Sequence, residues 1–312
     1  MKLFNGILLS ALSACIEAGL VHGRCRGLPS GQSPGHVSNV SITSSGKERS
    51  FLVFVPPGYS KEHPTPAILS YHGGVRDAED QLHLDQLTSP DFNPGSLVIY
   101  PQGIQDTWQG VPGVETDDVK FTADILDYVE SHYTVDKSRI YATGIPDGGG
   151  FTNVLACDAA MSLRFAAFAS VSGAFYIDTS PCNPDTVSVP CNAQRDDIPF
   201  MEFHGGNDTT IHYGGGARKK ECLPSIPHFI QQWALRDHLG NSSQETHIAP
   251  NTVRYRFGSG LTEGLVEHYY ESDIGHDWPS TVPNNDNQRS GHHVASYNAT
   301  PIIVDFFSRH SL

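Results

Sequence analysis

The sequence predicts a single α/β domain built on a mostly parallel sheet with helices on both faces. Several short apolar runs end at Gly or Pro, which is typical of buried parallel strands. Segments with apolar residues at three- and four-residue spacing alternate with these runs and indicate amphipathic helices. The chain has 312 residues, no internal repeat and no linker-like stretch, so it can bury one large core. The alternation favours parallel strands joined by crossover helices.

Each predicted element follows from its own run of residues. The predicted strands cover 51–55, 67–71, 96–100, 139–143, 165–171, 199–203 and 253–257. The predicted helices cover a segment that begins at 117–118, then 150–161, 227–239 and 302–307. In the first helix Phe121, Ile125 and Val129 recur on one side. Asp117 and Asp118 stand at its positive end, where acidic side chains are stabilising.

Composition and charge exclude several classes of protein. Only 17% of the residues are charged, which argues against a coiled coil, and the 30 Gly and 21 Pro indicate many defined turns. These counts are too low for a disordered or collagen-like chain. The 20 Lys and Arg against 34 Asp and Glu give a formal charge of −14, which repels phosphate backbones. We therefore expect no nucleic-acid partner.

Residues 1–23 are predicted to be a secretory signal peptide. Lys2 precedes an apolar run from Leu3 to Val21, and small residues near its end suit cleavage before Arg24. The run is short for a membrane anchor and is interrupted by Glu17. We therefore expect residues 24–312 to form a secreted, extracellular protein with no membrane partner. Nothing in the sequence indicates an oligomer, so a monomer is the default expectation.

The cysteines suit an oxidising compartment. Cleavage would remove Cys15 of the six cysteines and leave Cys25, Cys157, Cys182, Cys191 and Cys222. Most of these are expected to pair. Cys182 and Cys191 bracket a Pro-rich loop and are the easiest local pair to propose, although spacing does not fix the connectivity. The odd number leaves one thiol free or buried.

The sequence contains four glycosylation sequons and none of the common metal-binding motifs. Glycosylation sequons begin at Asn39, Asn207, Asn241 and Asn298, as expected for a secreted glycoprotein. Asn207 lies in a loop with candidate site residues, so we do not expect a glycan there. No C-x-x-C or H-E-x-x-H motif occurs, and the adjacent His292 and His293 are interpreted as surface residues. We therefore expect no metal.

Candidate catalytic residues follow the predicted strands, where ligands bind in such sheets. His72-Gly73-Gly74 follows the second strand, and a Gly-rich turn there can aim backbone N–H groups at an oxyanion. Asp208 closes the segment His204-Gly-Gly-Asn-Asp208 after a later strand. His276 lies in a loop with Gly275, Trp278 and Pro279. Asp208 could hold the His276 imidazole in the tautomer that a general base needs.

The segment 141–151 has the strand–turn–helix pattern of a nucleophile elbow, and here the chain resembles a known family. It is similar to the fungal feruloyl esterases related to the polyhydroxybutyrate-depolymerase-like branch of the α/β hydrolases. The matching segments are 24–31, 54–59, 71–74, 100–103, 144–150, 204–208 and 275–279, which together span almost the whole mature chain. The resemblance implies an α/β-hydrolase fold and a secreted esterase that releases ferulic acid from feruloylated arabinoxylan without a cofactor.

The elbow departs from the family pattern at its central position. The family has Gly-x-Ser-x-Gly, whereas this chain has Gly144-Ile145-Pro146-Asp147-Gly148. Pro146 has no hydroxyl to attack an ester. Its ring fixes φ near about −65°, whereas an elbow nucleophile has a strained backbone geometry. Loss of the nucleophile in such a triad costs on the order of 10⁶ in turnover. The oxyanion hole would be formed at His72, Gly73 and the backbone N–H of Asp147.

Several alternatives stay open from the sequence. Gly31-Gln-Ser33-Pro-Gly35 matches the elbow pattern but has no strand before it and no helix after it. Asp147 could attack as a carboxylate if the elbow were shifted by one residue; otherwise it caps the helix. Either the written sequence is in error at Pro146, or the chain is an inactive pseudo-esterase that binds acylated polysaccharide.

Substrate and reaction class are less constrained. Trp108, Tyr176 and Tyr213 could line an aromatic acyl pocket. Acetylxylan and polyhydroxybutyrate-type esters are alternatives to feruloyl esters. A glycosidase would need paired carboxylates. The adjacent pairs at 117–118 and 196–197 are interpreted as helix-start or loop acids.

Overall fold

The computed structural model describes residues 28–312, which form a ten-stranded sheet flanked by helices. The strands of this sheet are β1 Val37–Ser44, β2 Lys47–Phe54, β3 Thr65–Tyr71, β4 Leu97–Pro101, β5 Val135–Gly144, β6 Ala167–Val171, β7 Phe200–Gly205, β10 Ser243–Ala249, β11 Thr252–Phe257 and β12 Val266–Glu271. Two short strands, β8 Gly216–Arg218 and β9 Glu221–Leu223, form a separate hairpin. The predicted signal peptide and Cys25 lie outside the described residues.

The centre of the sheet is parallel, as predicted. Its order is β1-β2-β4-β3-β5-β6-β7-β12-β11-β10. All neighbours from β4 to β12 pair in parallel, whereas β1 and β2 at one edge and β11 and β10 at the other pair antiparallel. The carboxyl ends of β3, β5 and β7 therefore lie along one edge, and the segments that follow them can meet there.

Helices cover both faces of the sheet. The helices are α1 Ala78–Asp85, α2 Asp118–His132, α3 Asp147–Ala156, α4 Ile226–Arg236 and α5 Ala299–Ser308. Apolar residues of α2, α3 and α4 pack into one buried cluster, and those of α1 and α5 into another. Alternate strand residues supply the two clusters, since Leu69 belongs to the first and Ile68 to the second. The predicted α/β fold is confirmed.

The element bounds differ from the prediction in a few places. The helix predicted over 150–161 begins three residues earlier, at Asp147, and ends at Ala156. Glycines 148–150 are therefore helical, although glycine disfavours helix interiors. A Cβ atom on any of the three would lie within 2.6 Å of a neighbouring atom, so the packing around them requires glycine. Strands β1, β8, β9, β10 and β12 and helix α1 were not predicted. None of the helices in residues 28–312 has the length and apolar character needed to cross a bilayer.

Two disulfides lie on the face covered by α3 and α4. They pair Cys157 with Cys191 and Cys182 with Cys222. The local pair proposed from the sequence, Cys182 with Cys191, is therefore wrong. The physical reason is that Cys191 lies beside the end of α3, where the N–H of Asn192 donates to the carbonyl of Cys157, while Cys182 lies beside β9. Disulfides of this kind persist in oxidising compartments.

Candidate active site

The turn between β5 and α3 is as tight as a nucleophile elbow requires. A Cβ atom on Gly144 would lie 2.6 Å from the backbone carbon of Gly148 and 2.7 Å from the carbonyl oxygen of Tyr71. A Cβ atom on Gly148 would overlap the same Tyr71 carbonyl. Both glycines are therefore needed for the close crossing of β3, β5 and α3.

Pro146 stands at the N-cap of α3. Its backbone is helical, with φ −71° and ψ −39°, and it makes no side-chain cap hydrogen bond. This φ agrees with the value that the proline ring imposes. The residue has none of the backbone strain expected of an elbow nucleophile. Its ring carbon Cδ comes so near Gly73 that a Cβ atom there would lie 2.7 Å away.

Asp208 and His276 meet although a long stretch of chain separates them. Oδ2 of Asp208 lies 2.6 Å from Nδ1 of His276, and both side chains are buried. The other carboxylate oxygen, Oδ1, accepts the backbone N–H groups of Thr210 and Ile211, each at 2.8 Å. Burial raises the pKa of Asp208, but hydrogen bonds and charge from His204 and His276 outweigh it and hold that pKa well below its usual range.

The loop that carries His276 is fixed by buried polar contacts. Oδ2 of Asp277 accepts the N–H of Gly275, and the guanidinium of Arg289 donates to the carbonyl of His276 and to Oδ1 of Asp277. The fully buried Trp278 donates its ring N–H to Thr300 at 3.0 Å. These contacts fix the backbone of residues 275–278 and thereby the position of the His276 imidazole.

The His72 ring supports the loop after β3 and does not face the cavity. Its Nδ1 donates to the carbonyl of Gly73 at 2.8 Å, and its Nε2 accepts the N–H of Gly103 at 2.9 Å. Trp108 donates its ring N–H to the His72 carbonyl. Burial lowers the pKa of His72, which agrees with a neutral ring. Any contribution of His72 to an oxyanion hole would therefore come from its backbone.

Two backbone N–H groups are available at the elbow. Among the hydrogen bonds of residues 28–312, none uses the backbone N–H of Gly73 or that of Asp147 as donor. Asp147 is the first residue of α3, where N–H groups lack intrahelical acceptors and the helix dipole favours negative charge. Both N–H groups are therefore without an acceptor in the part of the chain that the structure describes.

A cavity of about 530 Å³ joins the candidate residues. Its wall includes Gly73, Pro146, Asp147, Tyr176 and His276. Asp208 lies behind His276 and does not line the cavity. Of the other proposed aromatic residues, Trp108 is fully buried and Tyr213 lines a different cavity of about 390 Å³. Tyr176 is thus the one of the three that could contact an acyl group.

The carboxyl group of Asp147 faces the cavity. It lies against Gly74 and 3.5 Å from the hydroxyl of Thr107. Burial raises its pKa, although Lys219, His276 and Arg218 act in the opposite direction. Asp147 is the first helical residue of α3, one position beyond the elbow centre, where a carboxylate also stabilises the positive end of the helix. Ser33 is exposed in the loop before β1 and does not line the cavity.

The structure adds site residues that the sequence analysis missed. The β8–β9 hairpin brings Arg218 and Lys219 to the cavity wall, where Arg218 donates to the Tyr176 hydroxyl at 3.2 Å. A three-residue strand leaves no readable pattern, so no sequence signal could have placed them. Glu202 and His204 lie behind Asp208, and the segment Glu202-Phe-His204 at the end of a predicted strand was the available signal.

The acidic pairs considered for a glycosidase have structural roles. Asp117 caps α2 by accepting the N–H of Lys120, and Asp118 forms a buried ion pair with Arg49 at 2.8 Å. Asp196 and Asp197 lie in the loop before β7. None of these four residues lines the cavity that contains His276. The interpretation as helix-start and loop acids agrees with this placement.

Comparisons with known proteins point to one group of esterases. No family model matches the chain. It is 28% identical over 260 residues to the probable feruloyl esterase C of Aspergillus niger, covering 77% of this chain and 86% of that protein. It is 28% identical over 174 residues to feruloyl esterase B of Piromyces equi, covering 54% of this chain but only 31% of the relative's length. An acetyl xylan esterase from Aspergillus awamori superimposes with a TM-score of 0.61 at 16% identity, covering 88% of this chain and 100% of that one.

The fold, the glycine-flanked elbow and the Asp208–His276 pair define a protein of the α/β-hydrolase class. Within that class the chain is related to the fungal feruloyl esterases, which are carboxylic ester hydrolases. The resemblance predicted from its motifs is confirmed.

Proposed function

We propose that the chain is a secreted ester hydrolase of the feruloyl esterase type whose site binds feruloylated arabinoxylan, and that Pro146 leaves it with little or no turnover as written. The observation that carries the proposal is the 2.6 Å contact between Asp208 and His276 beside a cavity that also exposes position 146. The names of its relatives support the choice of substrate.

The proposed chemistry follows from the geometry of the pair. Asp208 accepts the proton on Nδ1 of His276, which leaves Nε2 unprotonated and able to act as a general base. With a hydroxyl at position 146, Nε2 would take its proton while the oxygen attacks the ester carbonyl. The N–H groups of Gly73 and Asp147 would stabilise the oxyanion, and His276 would return the proton to the departing sugar alcohol. Water would then release the acid by the same steps. No cofactor is needed.

Without that hydroxyl the site keeps its binding surface but lacks the attacking atom. Oxyanion donors and substrate binding alone give a rate about 10³-fold over that in water in comparable triads. The second candidate is an inactive pseudo-esterase that binds acylated polysaccharide, since the cavity beside His276 is present although position 146 carries no hydroxyl. Sequencing the transcript across codons 144–148 decides whether the proline is genuine.

The test compares three proteins: the parent chain, Pro146→Ser and Pro146→Ala. Alanine removes the ring without adding a hydroxyl, so it controls for relief of the contact with Gly73. We expect methyl ferulate hydrolysis and labelling by a serine-directed phosphonate in Pro146→Ser alone. Equal hydrolysis in all three would show that the nucleophile lies elsewhere. Methyl acetate and hydroxybutyrate esters assayed in parallel distinguish the alternative acyl groups.

Binding and secretion are tested separately. Calorimetry with feruloylated arabinoxylan oligosaccharides should detect binding to the parent chain, and debranched oligosaccharides without feruloyl groups should bind more weakly. Equal binding of both would argue against a feruloyl pocket. Secretion from a fungal host should give a monomer beginning at Arg24. A mobility shift on deglycosylation is expected from glycans at the exposed Asn39 and Asn241.

A further inference from the structure

A row of buried charged side chains extends behind Asp208, away from the cavity. Nε2 of His204 lies 3.3 Å from Oδ2 of Asp208, and its Nδ1 lies 2.8 Å from Oε1 of Glu202. Nδ1 of His268 lies 2.8 Å from Oε2 of the same glutamate. The side chains of Glu202, His204 and Asp208 have no exposed surface. The mechanism proposed above uses none of the residues beyond Asp208.

The hydrogen bonds of His204 require a proton on each ring nitrogen. Nδ1 faces a carboxylate oxygen of Glu202 at 2.8 Å, and Nε2 faces the carbonyl oxygen of Ile211 at 2.7 Å. Both oxygens are acceptors, so each nitrogen must donate. A neutral ring would point a lone pair at one of these oxygens, at a fully buried position where an unsatisfied polar contact is costly.

Ile211 links His204 to the geometry of Asp208. Its carbonyl accepts from His204, while its N–H donates to Oδ1 of Asp208 at 2.8 Å. Ile211 is therefore held by two contacts. Its carbonyl accepts from the His204 imidazole, and its N–H donates to the carboxylate that contacts His276. Loss of the His204 contact would loosen the turn that orients Asp208.

We propose that His204 is a permanently charged imidazolium, kept charged by Glu202, which positions Asp208 against His276. The proposal deepens the proposed function, because it adds two positioning residues to the same site. Burial alone would lower the pKa of His204, but Glu202 and Asp208 outweigh it and raise that pKa to about 10. The reciprocal interactions with His204 and His268 lower the pKa of Glu202 against the effect of its burial.

The other groups around His204 do not replace Glu202. The Tyr213 ring centre lies 5.9 Å from that of His204, and its hydroxyl is hydrogen-bonded to Nε2 of His268 at 3.1 Å. His276 and His268 lie beyond the two carboxylates. Glu202 and Asp208 are thus the two acids in contact with the ring, and Glu202 is the one not already paired with His276.

Nitrogen-detected NMR of the intact parent protein tests the charge without requiring activity. The His204 signals are assigned by their loss in His204→Gln. We expect both ring nitrogens to be protonated from pH 6 to pH 8.5, and one to lose its proton within this range in Glu202→Gln. His228→Gln is the control, since it removes a different, half-buried imidazole whose Nε2 lies 2.7 Å from the carbonyl oxygen of Val187. A His204 ring that titrates within this range in the parent would overturn the proposal.

The positioning role is tested on the contact between Asp208 and His276. In Glu202→Gln the neutral His204 should loosen the turn at Ile211 and weaken that contact, which moves the Nδ1–H proton signal of His276 upfield. In the Pro146→Ser background, kcat should fall about tenfold with KM unchanged. An unchanged Nδ1–H signal of His276 beside a neutral His204 would refute positioning. If Pro146→Ser is inactive, the proposed function fails while the NMR result still stands.

Discussion

Asp208 and His276 lie 2.6 Å apart and are separated by 68 positions in the chain. The contact exists because β7 and β12 are parallel neighbours, so the loops that follow them emerge at the same edge of the sheet. Oδ1 of Asp208 accepts two backbone N–H groups, and these hydrogen bonds orient Oδ2 toward the imidazole of His276. The pair is complete, whereas position 146 beside it has no attacking atom.

Asp208→Asn in the Pro146→Ser background should therefore abolish most of the restored activity. Asparagine keeps the shape of the side chain but removes the charge that holds His276 in the correct tautomer. A comparable change in a serine triad lowers kcat by about 10⁴-fold. Initial rates with methyl ferulate measure the effect. Asp273→Asn, on the loop just before His276, is the control and should lose little; a loss below tenfold in Asp208→Asn would contradict the assigned role.

The parallel centre of the fold was predictable because its strands are apolar runs ended by breakers. β1 and β10 were not, since at least half of their residues are exposed and most of their residues are polar. β12 is largely buried but contains two glutamates and a histidine, so it lacks the apolar run of the other buried strands. The carboxylate of Glu267 accepts a hydrogen bond from Arg309, 42 residues away. Long-range pairs of this kind leave no local pattern.

The candidate site was partly predictable for the same reason. Asp208 follows the predicted strand 199–203, so its place at this edge of the sheet could be inferred from topology. The strand before His276, β12, was not predicted, so only the loop motif around His276 indicated the pairing. Arg218 and Lys219 reach the cavity on the β8–β9 hairpin. The Cys182–Cys222 disulfide and a β-bridge between Ile177 and Cys222 fix this hairpin. Neither contact can be deduced from the spacing of residues in the sequence.

The contact between Gly73 and Pro146 predicts an energetic coupling between these positions. A Cβ atom on Gly73 would press on the proline ring, so Gly73→Ala should cost about 1–3 kcal/mol of stability in the parent. Pro146→Ser removes the ring carbon, and the same change should then cost less. A double-mutant cycle measured by urea unfolding should give a coupling of at least about 0.5 kcal/mol.

Gly74→Ala is the matched control for this cycle. Its Cβ would meet the carboxylate of Asp147 rather than the proline, so its cost should be equal in both backgrounds. Equal costs for Gly73→Ala in the two backgrounds would mean that the ring does not constrain the loop after β3.

The two disulfides should contribute similarly to stability, but only one of them should affect ligand binding in the cavity. They close segments of 34 and 40 residues, for which chain entropy gives about 4 kcal/mol each. Guanidinium unfolding of the variants Cys157→Ala with Cys191→Ala, and Cys182→Ala with Cys222→Ala, measures both losses. Only the second variant releases the hairpin of Arg218 and Lys219, so only it should weaken oligosaccharide binding. Equal weakening in both variants would contradict this placement of the hairpin.

Asp85, at the end of α1, predicts a fall in stability with rising pH. Its carboxyl group is fully buried and accepts hydrogen bonds from Ser70, Tyr100 and the N–H of Leu87. Burial outweighs these bonds and raises its pKa to about 7, from 3.8 in an exposed carboxyl group. Between these two values the folded chain holds a proton that the unfolded chain has lost. The free energy of unfolding therefore decreases as the pH rises from about 4 to 7, by up to about 4 kcal/mol for this group.

Asp85→Asn removes the titration and should flatten the pH dependence over this window. Urea unfolding at several pH values from 4 to 8 gives the free energy of unfolding of the parent and of the variant as a function of pH. The difference between the two free energies at each pH cancels the contribution of other titrating groups. The exposed Asp91→Asn serves as the control and should follow the parent. Because asparagine stays neutral, the stability of Asp85→Asn relative to the parent should improve as the pH rises to 7 and stay constant above it. Parallel curves for parent and Asp85→Asn would show that the folded chain ionises this carboxyl as readily as the unfolded one.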